Sequence, residues 1–341
     1  FFPDAGLVSF DKSGTPRWSN VLGPFRSMHG LSSSLELIDG KLVLLVDQLD
    51  KSHLEVFDAA TGKSVWRVDR INGLTGGYST PAIWRPTKGA AQVIVAGPLE
   101  LAGYEVTSGK KVWWVNGLTN APVGVPVVQG DIVYLNEPVG EPIPFTMVAG
   151  NDKNKDGKIG ADELTDGGFA AFMQNIDRDW GNKDGAVEES EWRKSFDQFN
   201  GKGGLAAVKL GGTGDLTKSH ILWKYAKSGT YVPSLLTYQN VVYLIRDGGI
   251  LSAIDAEKGT LLKQGRLEGA IDKYYASPVA GDGKVYFLSE SGKLTVIKAG
   301  AQWEKLASAD LAETGSATPA IAGGRVYVRT AKALYCFGAK A

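Results

Sequence analysis

One short phrase recurs along this chain and restricts its fold more than any other feature. A Leu-led stretch is followed by an acidic residue, a Gly turn with Lys or Thr beside it, and then Trp. The cleanest copy spans residues 54–66, and others occupy 7–18, 101–113 and 251–263. The turn glycines mostly recur about every 40–50 residues, which is the period of a propeller blade. They are Gly14, Gly62, Gly109, Gly214, Gly259 and Gly300.

The remaining strands of each repeat are also visible in the sequence. One begins at a small residue before Pro, as in Thr80-Pro81 and Ser277-Pro278, and an apolar run such as 132–134 or 241–243 follows. With 44 Gly and 10% aromatic residues, the composition favours an all-β protein. We therefore predict a β-propeller of four-stranded antiparallel blades, seven to eight in number, with Trp packed between neighbours.

The repeat resembles the pyrroloquinoline-quinone-like (PQQ-like) propeller repeat of bacterial proteins, Ala-x-Asp-x-x-Thr-Gly-Lys-x-x-Trp. The resemblance covers nearly the whole chain outside residues 137–203. Such repeats occur in quinoprotein dehydrogenases, in the outer-membrane assembly lipoprotein and in other extracytoplasmic propellers. The resemblance therefore implies the fold, and it implies either a binding or assembly scaffold or, as the alternative, a PQQ-dependent dehydrogenase.

A calcium-loop pattern interrupts the repeat. Asp152, Asn154 and Asp156 stand at loop positions 1, 3 and 5, Gly157 at 6, and Glu163 at 12. This is the EF-hand spacing, in which the glycine permits a sharp turn and the last glutamate gives two oxygens. We expect Ca²⁺ to be bound by these side chains and by the carbonyl of Lys158, with water at Gly160.

A second, less regular loop follows. Counting back from Asp184-Gly185 places Glu191 at position 12, Asn182 at position 3 and the Ala186 carbonyl at position 7. Position 1 then falls on Trp180, which has no ligand oxygen in its side chain. Asp179 could serve if the loop holds one extra residue, and Asp177 if it bulges further.

The two loops define an inserted segment. We assign residues 1–136 and 204–341 to the propeller and residues 137–203 to an EF-hand-like insertion between the second and third strands of one blade. Apolar residues at helical spacing predict a helix over 161–176, and Trp192, Phe196 and Phe199 predict a second. Residues 151–200 carry 12 acidic and 7 basic residues, which suits an ion-binding insert.

Charge and composition exclude several classes. Acidic and basic residues number 37 each, so nothing attracts nucleic acid electrostatically. No apolar stretch reaches the length of a membrane span. The single cysteine, Cys336, lies in an apolar run and is expected to be buried. The family resemblance places the protein outside the cytoplasm, periplasmic or secreted, and we expect a leader upstream of Phe1 to have been removed.

A ligand site is expected where loops entering the first strands meet the insert. In a propeller these loops share one face with the connections between second and third strands, where the insertion lies. The candidate contacts are polar and aromatic, which suits an unknown protein or small-molecule ligand. They are Arg26, His29, Tyr78, Tyr231, Lys273, Tyr274 and Tyr275, with Asn116 and Asn120 nearby.

An enzyme is the less favoured reading of the same sequence. Quinoprotein dehydrogenases hold calcium against PQQ in the central funnel, often above a pair of adjacent cysteines, whereas this chain has one cysteine and carries its calcium pattern in an insertion. His29, His53 and His220 show no metal-binding spacing. The sequence therefore favours a non-catalytic scaffold with calcium as cofactor and PQQ as a less favoured one.

Overall fold

The computed structural model describes residues 1–27, 29–49, 51–70, 76–118, 121–137, 144–197, 203–227 and 229–338. Asn120 and Phe199, both named above, lie outside them. The chain divides into two compact units. The first contains residues 1–122, 140–203 and 211–219, and the second contains residues 123–139, 204–210 and 220–341.

The backbone is built almost entirely from short strands. Before the insert they are β1 (Leu7–Phe10), β2 (Pro16–Asn20), β3 (Glu36–Ile38), β4 (Lys41–Val46), β5 (His53–Asp58), β6 (Ser64–Asp69), β7 (Ala82–Trp84), β8 (Gln92–Ala96), β9 (Glu100–Glu105), β10 (Lys111–Asn116), β11 (Val127–Gln129) and β12 (Ile132–Glu137). The insert holds β13 (Lys158–Gly160), α1 (Gly167–Trp180), β14 (Ala186–Glu188) and α2 (Glu189–Asp197), with single 3₁₀ turns at Phe145–Met147, Ala149–Asn151 and Ala161–Glu163.

After the insert come β15 (Gly204–Lys209), β16 (Gly214–Asp215), β17 (Ile221–Tyr225), β18 (Leu236–Tyr238), β19 (Val241–Arg246), β20 (Ile250–Asp255), β21 (Leu261–Arg266), β22 (Val279–Gly281), β23 (Lys284–Leu288), β24 (Lys293–Lys298), β25 (Glu304–Asp310), β26 (Ala320–Ala322), β27 (Arg325–Arg329) and β28 (Leu334–Phe337). None of the helices in the described ranges is long and apolar enough to span a membrane.

Most strands pair with their sequence neighbours in antiparallel four-stranded sheets. The complete sheets are β3–β6, β7–β10, β11-β12-β15-β17, β18–β21 and β22–β25, while β1–β2 and β26–β28 form smaller ones. The short β16 adds to the outer edge of β10 in parallel, pairing Trp113 with Gly214. The all-β architecture predicted from the repeat is confirmed. The number of blades stays a prediction.

The repeated Trp and Gly explain how neighbouring sheets pack within each unit. The indole of Trp66 lies on the turn glycine of the next sheet, Gly109, where an added Cβ would come within 2.7 Å of the ring. Its Nε1 donates to the carbonyl oxygen of Val106 at 2.9 Å. Trp18 covers Gly62 and Trp223 covers Gly259 in the same way. A side chain at these positive-φ turns would displace the ring, so glycine is required by both backbone and packing.

The acidic residue of the repeat closes the same turn. An oxygen of the Asp58 carboxylate accepts hydrogen bonds from the backbone N–H of Thr61 at 2.8 Å and from its hydroxyl at 2.7 Å. Asp215 and Thr217 repeat the arrangement. Such side-chain-to-backbone bonds favour turns over strand continuation, so the Asp-x-x-Thr-Gly sequence at residues 58–62 ends β5 sharply.

First strands are linked by hydroxyl groups. The backbone N–H of Ser34 donates to Thr80 Oγ1 at 2.9 Å, and that of Ser277 donates to Thr318 Oγ1 at 3.1 Å. Ser234 and Ser277 form the same link at 3.0 Å. The small residue at this position of the repeat therefore joins each first strand to the next one in its unit.

Two local predictions were wrong. The helix predicted over 161–176 begins only at Gly167, because Ala161–Glu163 forms a 3₁₀ turn and Asp166 caps the helix by accepting from the backbone N–H of Phe169. Cys336 is exposed and not buried. It lies in β28, the edge strand of a three-stranded sheet, where no fourth strand within the described residues covers it.

Candidate functional site

The first calcium loop is held in shape by its own ligand oxygens. The Asp152 carboxylate accepts hydrogen bonds from the backbone N–H of Asp156 at 3.2 Å and of Gly157 at 2.9 Å. Asn154 Oδ1 accepts from Asp156 N–H at 2.9 Å. Gly157 has φ +85°, a conformation that favours glycine. The oxygens expected at positions 1, 3 and 5 are thus brought to one concave turn.

Glu163 folds back over the loop from position 12. Its Oε2 accepts from the backbone N–H of Gly160 at 2.8 Å, and its Oε1 accepts from Lys153 at 2.8 Å and Asn154 at 3.1 Å. Donation by the N–H groups of Gly160 and Asn154 holds the pKa of the Glu163 carboxyl below its usual range. The carboxyl group is therefore held ionised, and both of its oxygens accept backbone hydrogen bonds from the loop.

A short sheet joins the first loop to the second. β13 and β14 are antiparallel, with Ile159 opposite Val187, and both side chains are fully buried. The carbonyl-bearing residues at position 7, Lys158 and Ala186, flank this pair on the two strands. The Lys158 ammonium forms an ion pair with Asp184, which raises the pKa of Lys158 and lowers that of Asp184. The two loops therefore lie side by side as one pair.

The geometry of the second loop favours Asp177 at position 1. Its carboxylate accepts from the backbone N–H of Gly185 at 2.9 Å, as that of Asp152 does from Gly157. It also accepts from Lys183 at 2.6 Å, and it is only 7% exposed. Asp177 belongs to the last turn of α1, so a helix supplies the oxygen that an ordinary loop would supply itself.

The other candidates for position 1 point elsewhere. The Asp179 carboxylate is held by the guanidinium of its neighbour Arg178 at 2.7–2.8 Å, and Trp180 is the last residue of α1. Glu191 mirrors Glu163, since its oxygens accept from the backbone N–H of Asn182 at 2.8 Å and of Glu188 at 3.3 Å. The loop therefore bulges between positions 1 and 3.

All of these donors are hard oxygens, the ligands that Ca²⁺ prefers over softer metals. Within the described residues, no three His, Cys, Asp or Glu side chains are gathered closely enough to hold a metal ion. The carboxylates of both loops instead accept backbone hydrogen bonds, so ion binding requires them to turn inward from these partners. The donor set fits calcium in type and order.

The insert has its own apolar core. Its members come from both strands and both helices, and the rings of Phe172 and Trp192 meet edge to face at 5.9 Å. Phe145 from the first 3₁₀ turn packs on Trp192 at 6.1 Å. The buried members are Ile159, Phe172, Met173, Ile176, Val187, Trp192 and Phe196.

Helix α1 is buried on a second side, against the sheets of the first unit. Asn175 is 3% exposed, and its Nδ2 donates to the carbonyl oxygen of Leu49 at 2.6 Å. The side chain of Leu99 packs against the insert core. Leu49 lies between β4 and β5, and Leu99 between β8 and β9, so both belong to connections between second and third strands. The insert therefore rests on the connections of two sheets.

A buried charge network lies at these connections. The Arg70 guanidinium donates to Asp47 Oδ1 at 2.8 Å and to the Tyr104 hydroxyl at 2.6 Å, with Glu100 at 4.0 Å. Burial raises the pKa of Tyr104 to about 12. A Cβ on Gly97 would come within 1.9 Å of the guanidinium, so the β8–β9 turn closes directly over it. Arg70 thus ties the two connections together.

Candidate loop residues of the first unit lie beside the β4–β5 connection. The backbone N–H of Leu49 donates to the carbonyl oxygen of Arg26 at 3.0 Å, and that of Arg26 donates to Gln48 Oε1 at 2.7 Å. Arg26 and His29 are exposed, and the His29 ring lies 5.7 Å from that of Tyr78. Arg26 and His29 therefore stand on a loop that is hydrogen-bonded to a connection carrying the insert, and Tyr78 faces His29 from the loop that enters β7.

In the second unit, the prediction for Tyr274 was wrong. Tyr274 is 2% exposed, its hydroxyl donates to the Ala270 carbonyl oxygen at 3.0 Å, and burial raises its pKa. It anchors its own loop and offers no surface. Lys273 is exposed, Tyr275 is half-buried and Tyr231 is 68% exposed. Ile271, which the sequence analysis did not name, is 71% exposed.

Asn175 and Arg70 were not foreseen either. Asn175 falls within the predicted helix, but helical spacing does not distinguish a polar residue facing solvent from one buried against another element. Arg70 follows a fourth strand and has no motif around it. Only the folded contacts reveal that both are buried and bonded.

Comparisons with known proteins place the fold. The model of a family described as outer membrane protein assembly factor BamB matches residues 50–158 and 192–340. The structure is similar to BamB from Moraxella catarrhalis, with a TM-score of 0.59 and 13% identity over 98% of this chain and 76% of that one. It is also similar to the computationally designed protein Ika8, with a TM-score of 0.59 and 11% identity over 99% and 79% of the two chains.

A quinohemoprotein alcohol dehydrogenase from Pseudomonas putida HK5 is a further structural neighbour, with a TM-score of 0.54 and 11% identity over 95% of this chain and 60% of that one. No curated protein matches the sequence. The neighbours confirm the predicted β-propeller fold. At these identities they carry the fold alone.

Proposed function

Because the chain belongs to the family described as outer membrane protein assembly factor BamB, we propose that it is a non-catalytic extracytoplasmic scaffold that binds a protein partner. The family supports a binding or assembly role outside the cytoplasm. Within each unit, we assign contact with the partner to the loops that enter the first strands.

The exposure of large side chains on these loops carries the proposal. Val21, Tyr231 and Ile271 are exposed to 83%, 68% and 71% of their areas, although each precedes a well-packed sheet. The turns that end third strands instead carry Asp, Thr, Lys and Gly, as at 58–63. Aromatic and apolar side chains next to a charged rim are typical of protein interfaces. Arg26 in the first unit and Lys273 in the second each supply a positive charge for an anionic group of a partner.

We propose further that the paired loops of the insert bind calcium. In the first loop the ligands are Asp152, Asn154, Asp156, the Lys158 carbonyl and Glu163. In the second they are Asp177, Asn182, Asp184, the Ala186 carbonyl and Glu191. The order of oxygens in the first loop and the matching hydrogen bonds in the second support this assignment.

A gene deletion tests the scaffold role directly. We expect loss of the protein to lower the amount of assembled outer-membrane protein, and the wild-type gene to restore it. A Tyr231→Ala, Ile271→Ser double variant is expected to restore it poorly, because the substitutions remove contact area without touching the core. Lys258→Ala, on an exposed turn of the same unit, is the matched control. Equal rescue by both variants would contradict our choice of face.

The dehydrogenase alternative makes a different prediction. Purified protein given PQQ, calcium and an alcohol should oxidise the alcohol in a dye-linked assay if the chain is a quinoprotein enzyme. We expect no turnover above that of the free quinone. Turnover that depends on a carboxylate of the protein would replace the scaffold proposal.

A further inference from the structure

Helix α1 connects the insert to the loop that carries Arg26 and His29. Asn175 Nδ2 donates to the Leu49 carbonyl oxygen at 2.6 Å, and Leu49 N–H donates to the Arg26 carbonyl oxygen at 3.0 Å. The backbone N–H of Arg26 in turn donates to Gln48 Oε1, in the same connection, at 2.7 Å. Two hydrogen bonds therefore lead from the insert through Leu49 to a candidate partner-binding loop, and a third links that loop to Gln48.

The β4–β5 connection, which contains Leu49, is also held by hydrogen bonds to residues outside the insert. Ser52 accepts from Gln48 N–H at 3.0 Å and donates to the Gln48 carbonyl oxygen at 2.9 Å. Asp47 is held by Arg70 and is 1% exposed. Asn175 adds a contact to this connection from helix α1.

Burial makes the Asn175 contact hard to replace. Leu49 and Asn175 are each 3% exposed, so water has little access to the Leu49 carbonyl if the amide is removed. A buried carbonyl without a donor carries a desolvation penalty, and the segment moves to relieve it. The Arg26 loop is hydrogen-bonded to the same segment through the backbone N–H of Leu49 and through Gln48 Oε1.

We infer that Asn175 is a positioning residue, through which the insert holds the Arg26–His29 loop in its partner-binding conformation. That the loop binds a partner rests on the proposed function. We call the hydrogen bond from Asn175 to the Leu49 carbonyl oxygen the brace, because it joins the insert to the connection that holds the loop. Since Asp177 lies two residues further along α1, an ion in the second calcium loop would stiffen the same brace.

Hydrogen exchange of the whole protein tests the brace without a partner. Asn175→Asp keeps the side-chain shape but sets a carboxylate oxygen against the Leu49 carbonyl. We expect exchange at residues 26–31 and 47–52 to rise about tenfold, while amides of the insert core keep their protection. Gln174→Asp, exposed on the same helix, is the matched control and should leave both segments unchanged.

A second variant covers the case in which Asn175→Asp unfolds the insert. Replacing residues 144–197 by a short turn between β12 and β15 removes the brace outright, and exchange at 26–31 should rise by at least as much. Unchanged exchange at 26–31 in either variant would overturn the inference. Raised exchange without any effect of Tyr231→Ala, Ile271→Ser on outer-membrane assembly would leave the brace standing and count against the proposed function alone.

Discussion

The repeating sheets and the calcium insert reach stability by different routes. Within each unit, sheets pack on their neighbours through long-range contacts, such as the bond from Trp66 to Val106 across 40 residues in the first unit. The insert instead relies on one small core, whose ring pair Phe172 and Trp192 lies 20 residues apart in sequence. A small core contributes little stability by itself, so an insert of this size needs an ion or a docking surface.

The difference shows where ligand binding should act on stability. Loss of an ion should loosen the insert and leave the four-stranded sheets intact, because the hydrogen bonds of the loop carboxylates described above stay within the insert. Loss of a buried tryptophan should weaken the sheets and leave the ion site working. The docking contacts at Leu49 and Leu99 are the place where the two regions meet within the first unit.

The largest effect is expected from Trp113→Ala. The Trp113 side chain is fully buried and its Nε1 donates to Gln92 Oε1 at 2.8 Å, so the change leaves a cavity and an acceptor without its donor. We expect a loss of about 3–5 kcal/mol in the free energy of unfolding, measured with urea. Val65→Ala, at a 47% exposed site of the same kind of sheet, should cost no more than about 0.5 kcal/mol. A loss for Trp113→Ala as small as the control's would break the comparison.

Chelation should act on the insert alone. With a dissociation constant on the order of 10⁻⁴ to 10⁻³ M, as in extracellular modules, calcium at about 10 mM stabilises the insert by about 1.4–2.7 kcal/mol. Removing it should raise protease cleavage between residues 150 and 200 while the far-ultraviolet β signal persists. Melting of that signal together with the insert would show that the two regions are not separable.

A third test removes one ligand. Glu163→Gln keeps the side-chain size and loses the charge, so calorimetry should show one calcium-binding event weakened by about tenfold or more. The Glu163→Asp variant keeps the charge on a shorter side chain, so its calcium affinity should lie between those of the wild type and of Glu163→Gln. An unchanged titration in Glu163→Gln would show that the first loop is not a calcium site.

The second loop distinguishes two neighbouring carboxylates. Asp177→Asn should weaken a second binding event, because this carboxylate sits where Asp152 does in the first loop. Asp179→Asn should leave both events unchanged, since its partner is Arg178. The opposite pattern would return the position 1 ligand to Asp179 and reduce the bulge to one extra residue.

The smallest effect concerns pH and the sheets. Burial, together with the nearby charge of Arg67, lowers the pKa of His53 below the ordinary histidine value of 6.5, against the opposing bond to the Lys51 carbonyl. Below about pH 6.5 the His53 imidazole binds a proton in the unfolded chain but stays neutral in the folded protein until the pH reaches its lowered pKa. Unfolding free energy should therefore fall as pH drops from 6.5 toward the lowered pKa.

Replacing the imidazole removes that dependence. In His53→Gln, the change in unfolding free energy between pH 7 and pH 5 should be smaller than in the wild type. If the unfolding free energy of His53→Gln changed more steeply with pH than that of the wild type, the pKa of His53 would not be lowered by folding. His29 and His220 remain in both proteins and give the same background.

Much of the fold is readable from the sequence because its signals are local or periodic. The Asp-x-x-Thr-Gly turn is closed by bonds within five residues, as at Asp58 and Thr61, so its sequence predicts its shape. Trp66 repeats at a fixed distance from that turn, so its packing against a neighbour could be inferred from the period. The first calcium loop is equally local, since Asp152 to Glu163 contains every donor.

What the tertiary structure decided depends on which side of an element is covered. The spacing that placed Asp177, Asp179 and Trp180 near position 1 could not choose among them, because the choice follows from where α1 ends and which way its last turn faces. Tyr274 looked like a loop residue but folds under its own loop, and Cys336 looked apolar but lies on an open edge. Burial of a side chain is set by its neighbours in space, and these come from distant parts of the chain. For the same reason the sequence could not predict the burial of Asn175, whose hydrogen-bond partner Leu49 lies 126 residues away.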